Sequence, residues 1–188
     1  TLVAEEKRGG EKVYVTTRRM ELTVKRYGAI QAVKIEQGCE ETADGKILSL
    51  SLIQSLGESQ KMTMTGKVEG GKLRLKTPGA ESAMPWDDRI LGLYAQEQAF
   101  ATRKAKKGDR FEIRSFELAA QVPLVLRVEV KNEETTDRLV LKKGAGGATE
   151  IGREPAKLLR AEVASDKIKV GTTEVQLPPK LVWLDADG

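Results

Sequence analysis

No histidine occurs anywhere in these 188 residues, and cysteine occurs once, as Cys39. The first absence excludes Ser-His-Asp and Cys-His catalysis within this chain, because both need an imidazole to move the nucleophile's proton. The two together exclude the common Cys/His zinc sites and any internal disulfide. Only a metal held by carboxylates alone stays open, and neither metal nor cofactor is expected. Aromatic residues are scarce at 4%. A single-stranded nucleic-acid binder sets stacking platforms in a basic groove; no such set is visible, so no nucleic-acid partner is expected. No apolar run approaches the roughly 18 residues that a membrane-spanning helix needs, and no transmembrane segment is expected.

Charged residues make up 32% of the chain and hydrophobic ones 39%, the balance of a soluble globular protein rather than a disordered one. The net charge of +4 favours anionic surfaces or partners, although acidic residues are mixed in throughout. The length suits one good-sized domain or two small ones. No linker divides it, so a single β-rich domain over 1–188 is expected. The chain opens on Thr1 with no Met and no signal-like apolar core, which reads as a processed piece or one excised from a longer chain.

Alternation of apolar and polar residues is the main signal. Tyr14, Met20, Leu22 and Val24 share one face, against Arg19, Glu21, Thr23 and Lys25; Val33 and Ile35 continue the pattern. Asp44-Gly45 reads as a hairpin turn, since both residues tolerate positive φ. Leu48, Leu50 and Leu52 follow, then Met62, Met64 and Val68. "EGG" at 69–71 turns the chain into Leu73 and Leu75. These short-looped, one-sided segments predict an antiparallel meander with one wet and one dry face. Strands resume at Phe111 and Ile113, at 124–131, and at Leu139 and Leu141. "PAKLLRAEV" at 155–163 suits strand or helix and is taken as strand, because Leu159, Ala161 and Val163 alternate with Arg160 and Glu162.

Between the two runs of strands lies "MPWDDRILGLYAQEQAFATRKAKKGD", residues 84–109. Its spacing predicts a helix over about 87–105. Asp87 or Asp88 would cap it, and Ile90, Leu93, Tyr94, Phe100 and Ala101 would form its apolar stripe. Arg103, Lys104, Lys106 and Lys107 would favour its C-terminal end, and Gly108-Asp109 would stop it. The expected fold is therefore mainly β: a curved antiparallel sheet of about ten strands, a half-barrel, wrapped around one central helix.

Candidate chemistry is thin. "KKGAGGATEIG" lacks the Gly-Lys-Ser/Thr ending of a phosphate-binding loop and reads as a turn. "DADG" at 185–188 would need an acid or amide at Trp183 to be a calcium loop, and also reads as a turn. Asp87-Asp88 reads as a helix cap rather than an acid pair. Glu97 reads as a boundary residue paired with a Lys or Arg. The basic row Lys61, Lys67, Lys72, Arg74 and Lys76 reads as the solvated face of a hairpin. Cys39 reads as an inert, partly buried thiol.

The order of "ETADGKILS", "GKVEGGKLRL", "PWDDRILGLYAQEQAFATRKAKKGDRFEIRSF", "KLLRAEV" and "VWLDADG" resembles the N-terminal β-rich region of bacterial secreted transglutaminase-like proteins. The stretch from "LGLYAQEQAF" to "KKGD" is also similar in layout to periplasmic lipoprotein-carrier-like half-barrel domains. The resemblance implies an extracytoplasmic location, periplasmic or secreted. It brings no catalytic residue, since a transglutaminase-like site needs Cys, His and Asp. The chain is therefore expected not to be an enzyme. The first expectation is a non-catalytic accessory or scaffold domain that docks or presents substrate to a following papain-like catalytic domain, or to another protein. The alternative is a carrier-like binding module whose concave face holds a lipid, acyl chain or peptide. Its candidate lining is Trp86, Tyr94, Phe100 and Trp183, since ligand pockets are mostly apolar with aromatic walls.

Overall fold

The computed structural model describes residues 1–26, 29–57, 60–143, 149–170 and 172–185. The chain is mainly β, with antiparallel sheets and, among the described residues, one helix. Strands β1 (Leu2–Arg8), β2 (Glu11–Arg26), β3 (Ala29–Thr42), β4 (Ile47–Leu56), β5 (Gln60–Glu69), β6 (Lys72–Thr77) and β7 (Ala80–Pro85) form a seven-stranded sheet in which each strand pairs with the next. This is the meander that the alternation predicts. The hairpin turns fall where the glycines permit positive φ: Gly45 at 85° between β3 and β4, and Gly70 and Gly71 at 57° and 69° between β5 and β6.

After the helix α1 (Leu93–Arg103), strands β8 (Arg110–Glu117), β9 (Val122–Lys143), β10 (Thr149–Ser165) and β13 (Lys180–Leu184) build a second sheet in the order β13-β10-β9-β8. Strands β11 (Ile168–Val170) and β12 (Thr173–Val175) form a small separate hairpin. The expectation of about ten strands in one sheet is thus corrected to thirteen strands in three sheets among the described residues. Two segments read as separate strands, around 124–131 and at Leu139–Leu141, are one strand of 22 residues. Residues 155–163 are strand as expected, with a register shift between Leu159 and Ala161. In the seven-stranded sheet β1 and β7 are edges that pair with no further strand, so that sheet is not a closed barrel.

Cross-strand register shows which residues share a face. Tyr14–Glu41, Thr16–Cys39, Arg18–Gln37, Met20–Ile35 and Leu22–Val33 are opposed pairs along β2 and β3. Leu50, Leu52 and Met64 continue the same face into β4 and β5, and Leu73 and Leu75 into β6. Leu52, Met64, Leu73 and Leu75 form one buried cluster with Leu118, flanked by Trp86 and Phe116. A second cluster fills the four-stranded sheet: Ile113, Val128, Val130, Ala161, Val163 and Leu184, with Phe100 from the helix.

The helix is shorter and less central than its sequence suggests. It starts at Leu93 and ends at Arg103, with Lys104 in the left-handed region as its C-cap. Asp87 does not cap it: its carboxylate accepts from the Arg89 backbone N–H and pairs with the Arg89 and Arg114 guanidinium groups. The N-cap is Gly92, which brings no side-chain hydrogen bond. Glu41 of β3 does the work instead. It accepts from Tyr94 N at 3.0 Å and Ala95 N at 2.7 Å, two of the donors that a helix start leaves unpaired. Glu41 is fully buried, and burial pushes its pKa above the usual carboxylate range while the two N–H groups pull the other way. Gly92 is required for this contact, because a Cβ there would lie 2.0 Å from Glu41 Oε2. Only Phe100 of the helix is buried. The expectation of a sheet wrapped around a central helix is corrected accordingly: α1 lies over Tyr14 and Glu41 at one end of the inner face, and Leu118, Trp86 and Phe116 cover the neighbouring cluster.

Candidate functional site: an apolar face and a groove

Strand β2 runs from the covered part of the inner face to an uncovered part. Tyr14 stacks on Tyr94 of the helix at 4.1 Å between ring centroids, and Thr16 is fully buried. Two residues further, Arg18 borders a groove. Two further again, the face opens to solvent. Met20 is 47% exposed, Leu22 42%, and Met62 of β5 36%. Val33, Ile35 and Leu56 lie beside them, partly covered. These six apolar side chains share one face with Gln54 of β4, which lies between Ile35 and Met62, and Met20, Leu22 and Met62 are its exposed part. Two of them are methionines, whose unbranched thioether chains adapt to irregular partners.

The groove beside this surface lies between α1, the inner face of the four-stranded sheet, and β13. Its wider part encloses about 330 Å³ and is walled by Phe100, Ile113, Leu126, Val182, Trp183 and Leu184, with Arg18, Glu97 and Lys180 at its rim. A narrower part of about 80 Å³ continues past Gln37, Leu93, Phe116 and Ser165. Arg18 and Lys180 line both parts, at the junction. Arg18 donates to Glu97 at 3.1 Å, the paired boundary role expected of Glu97. Lys180 makes no ion pair among the described residues. Ser165 Oγ is buried and finds no hydrogen-bond partner there either. A buried hydroxyl without a partner is unfavourable, and this one borders the narrow part of the groove. Glu117 also borders that part, and its carboxylate accepts from the Ala119 N–H.

Of the four aromatic residues predicted to line a site, the structure brings two together. Phe100 and Trp183 both line the groove, and Phe100 also meets Phe111 edge-on at 5.6 Å. Tyr94 lies on the other side of the helix, against Tyr14 and a shallow depression beside Gly45. Trp86 packs edge-on against Phe116 at 5.4 Å and belongs to the core. Sequence reasoning missed Arg18, Lys180 and Ser165. Nothing in their local pattern marks them, because they meet only through pairing of distant strands. It had the open surface in hand as a dry face, without the means to see that nothing covers it.

The remaining candidates resolve simply. Cys39 is buried beside Glu41, and burial first of all pushes its thiol up to about 12. In the basic row, Lys67 pairs with Glu69 and Lys76 with Glu81. The glycine-rich loop at 144–148 and the end of "DADG" at 186–188 lie outside the described residues. No group of three or more metal-ligating side chains is gathered among the described residues. No described helix is long and apolar enough to cross a membrane.

No family model matches the chain, and no curated protein matches it. The chain is similar to a solved structure, a β-barrel-like protein of a domain of unknown function, DUF1849, from Brucella abortus. The TM-score is 0.59 at 13% identity, over 99% of this chain and 76% of that one. At that identity the likeness shows the fold alone. It agrees with a β-rich, lipoprotein-carrier-like architecture and lends nothing to the transglutaminase resemblance.

Proposed function

We propose that this chain is a non-catalytic binding module of half-barrel type, acting outside the cytoplasm, that holds an acyl chain along its inner face. The observation that carries this is the uncovered apolar surface of Met20, Leu22 and Met62, continuous through Arg18 with the groove of Phe100 and Trp183. Covering the exposed part of Met20, Leu22 and Met62 is favourable, by up to about half of the roughly 1.5–3 kcal/mol that full burial of such a side chain contributes. An acyl chain lies along such a surface and needs no hydrogen bonds from it. The polar end of the ligand has a place at the junction, where among the described residues Lys180 lacks an ion-pair partner and Ser165 Oγ lacks a hydrogen bond. A peptide would need its backbone groups paired, and the inner face of a sheet offers none. The other reading, a docking domain ahead of a papain-like catalytic domain, draws on the resemblance alone.

The test is titration of the purified chain with dodecanoate, followed by calorimetry. Saturable one-site binding is expected, weakened at least about tenfold by Met20→Asp with Leu22→Asp. Those residues are exposed, so the substitutions cost little stability. Absence of saturable binding, or equal binding by the variant, contradicts the proposal.

A further inference from the structure

The β9–β10 ribbon carries a second apolar surface, separate from the groove. Strand β8 pairs with β9 only from Val122 to Glu129, and β13 with β10 only from Leu159 to Val163. Beyond those points, from Glu134 opposite Leu158 out to Lys143 opposite Thr149, the two strands have only each other. At the rise of a strand this makes an arm of about 30 Å. Leu141 lies directly opposite Ile151, and Leu139 opposite Arg153, all on one face at the outer end. Their exposures are 65% for Leu139, 76% for Leu141 and 75% for Ile151. Single exposed aliphatics are ordinary, but three side by side on a projecting end mark an interaction surface.

On this face Lys143 and Arg153 flank the three at the outer end, while one carboxylate, Asp137, follows further in beside Leu139 and opposite Pro155. Lys143 and Arg153 share their face and make no ion pair among the described residues. Two other acidic residues, Glu150 and Glu154, point from the opposite face, where Glu150 sits across from Lys142 and Glu154 binds Arg138. Arg138 is also held by Asp185. The outermost part thus presents aliphatic side chains bordered by two cations that make no ion pair among the described residues, with Asp137 further back along the arm. A second copy of this chain would bring the same cations against them in an isologous contact, which like charges disfavour. A projecting end also suits a soft surface better than a cavity.

We propose that this tip docks on an anionic lipid bilayer. Leu139, Leu141 and Ile151 enter the boundary between headgroups and acyl chains, and Lys143 and Arg153 meet lipid phosphates. This goes beyond ligand binding in the groove and stands without it. The test is flotation of the full chain with vesicles of phosphatidylcholine alone or with added phosphatidylglycerol. The chain is expected to float with the anionic vesicles, and less so at high salt. Leu141→Asp with Ile151→Asp, and separately Lys143→Glu with Arg153→Glu, should each lower partitioning at least about tenfold. Leu2→Asp, at an exposed apolar position on β1, should leave it unchanged. Thermal melts by circular dichroism establish that the variants fold, and dodecanoate titration that their groove is intact. The proposal is overturned if the wild type does not float with anionic vesicles, or if the double variants float as well as it does. It is overturned too if the chain sediments as a dimer that Leu141→Asp with Ile151→Asp makes monomeric, which assigns the tip to a second copy.

Discussion

The inner face of the seven-stranded sheet has a covered half and an open half, built from the same kinds of residue. In the covered half, Leu52, Leu73 and Leu75 are sealed by Leu118, Trp86 and Phe116. In the open half, Met20, Leu22 and Met62 meet solvent. Both halves alternate apolar with polar, and both belong to the same strands or their neighbours. Alternation thus reports which face can be dry; coverage depends on where other segments of chain happen to lie. The site proposed for ligand binding is the place where those two answers differ.

Stability should separate the halves most sharply. Leu73 is fully buried, so Leu73→Ala removes packing on all sides and should cost about 2–5 kcal/mol. Leu22→Ala, the matching truncation in the open half, should fall within about 0.5 kcal/mol of wild type. Urea unfolding of the two variants measures the contrast, and equal losses would mean that the open half is covered in solution.

The boundary of the covered half depends on one carboxylate. Glu41→Ala strands the Tyr94 and Ala95 N–H groups at the start of α1 and should cost about 1–3 kcal/mol. Gly92→Ala should act in the same direction by pushing that carboxylate aside. Thermal melts of both variants check this, and a neutral Glu41→Ala would show that the helix start is paired by other means.

Reactivity reads the same boundary more gently. Cys39 lies under the helix with its thiol pushed up to about 12, mainly by burial. The folded chain should resist a thiol reagent at pH 8 and react fully in urea, as absorbance on labelling would show. Rapid labelling of the folded chain would place the covered half open to solvent.

The smallest expected effect concerns Asp87, which secures the approach to the helix. Its hydrogen bonds to the Arg89 side chain and backbone, with Arg114 nearby, hold its carboxyl down at about 2 against an ordinary 3.8. A depressed carboxylate stabilises the fold above its unfolded value, and that contribution is lost as pH falls from about 4 through 2. Asp87→Asn should flatten this part of the acid unfolding curve, slightly, because the group is solvent-screened.

Much of this architecture was legible in the sequence. The meander, its Asp44-Gly45 and Gly70-Gly71 turns, and the strand at 155–163 follow from local chemistry. The true start of the helix does not, because its cap comes from Glu41, far back in the chain on β3. Asp87 or Asp88 looked like the cap; Asp87 instead binds arginines. The division into separate sheets and the single long β9 also escaped, since both rest on pairing between distant segments. Half of the predicted aromatic lining, Phe100 and Trp183, borders the groove. The cation and hydroxyl beside it, Lys180 and Ser165, lie on strands that only the fold brings together.

The four methionines allow the central claim to be tested directly. Met20 and Met62 lie on the open half, while Met64 is buried and Met84 packs against the covered cluster. With methyl-labelled methionine, titration with dodecanoate should move the Met20 and Met62 signals saturably and leave Met64 and Met84 in place. If none of the signals moves, or if all four move together, the open face is not where this chain holds a ligand.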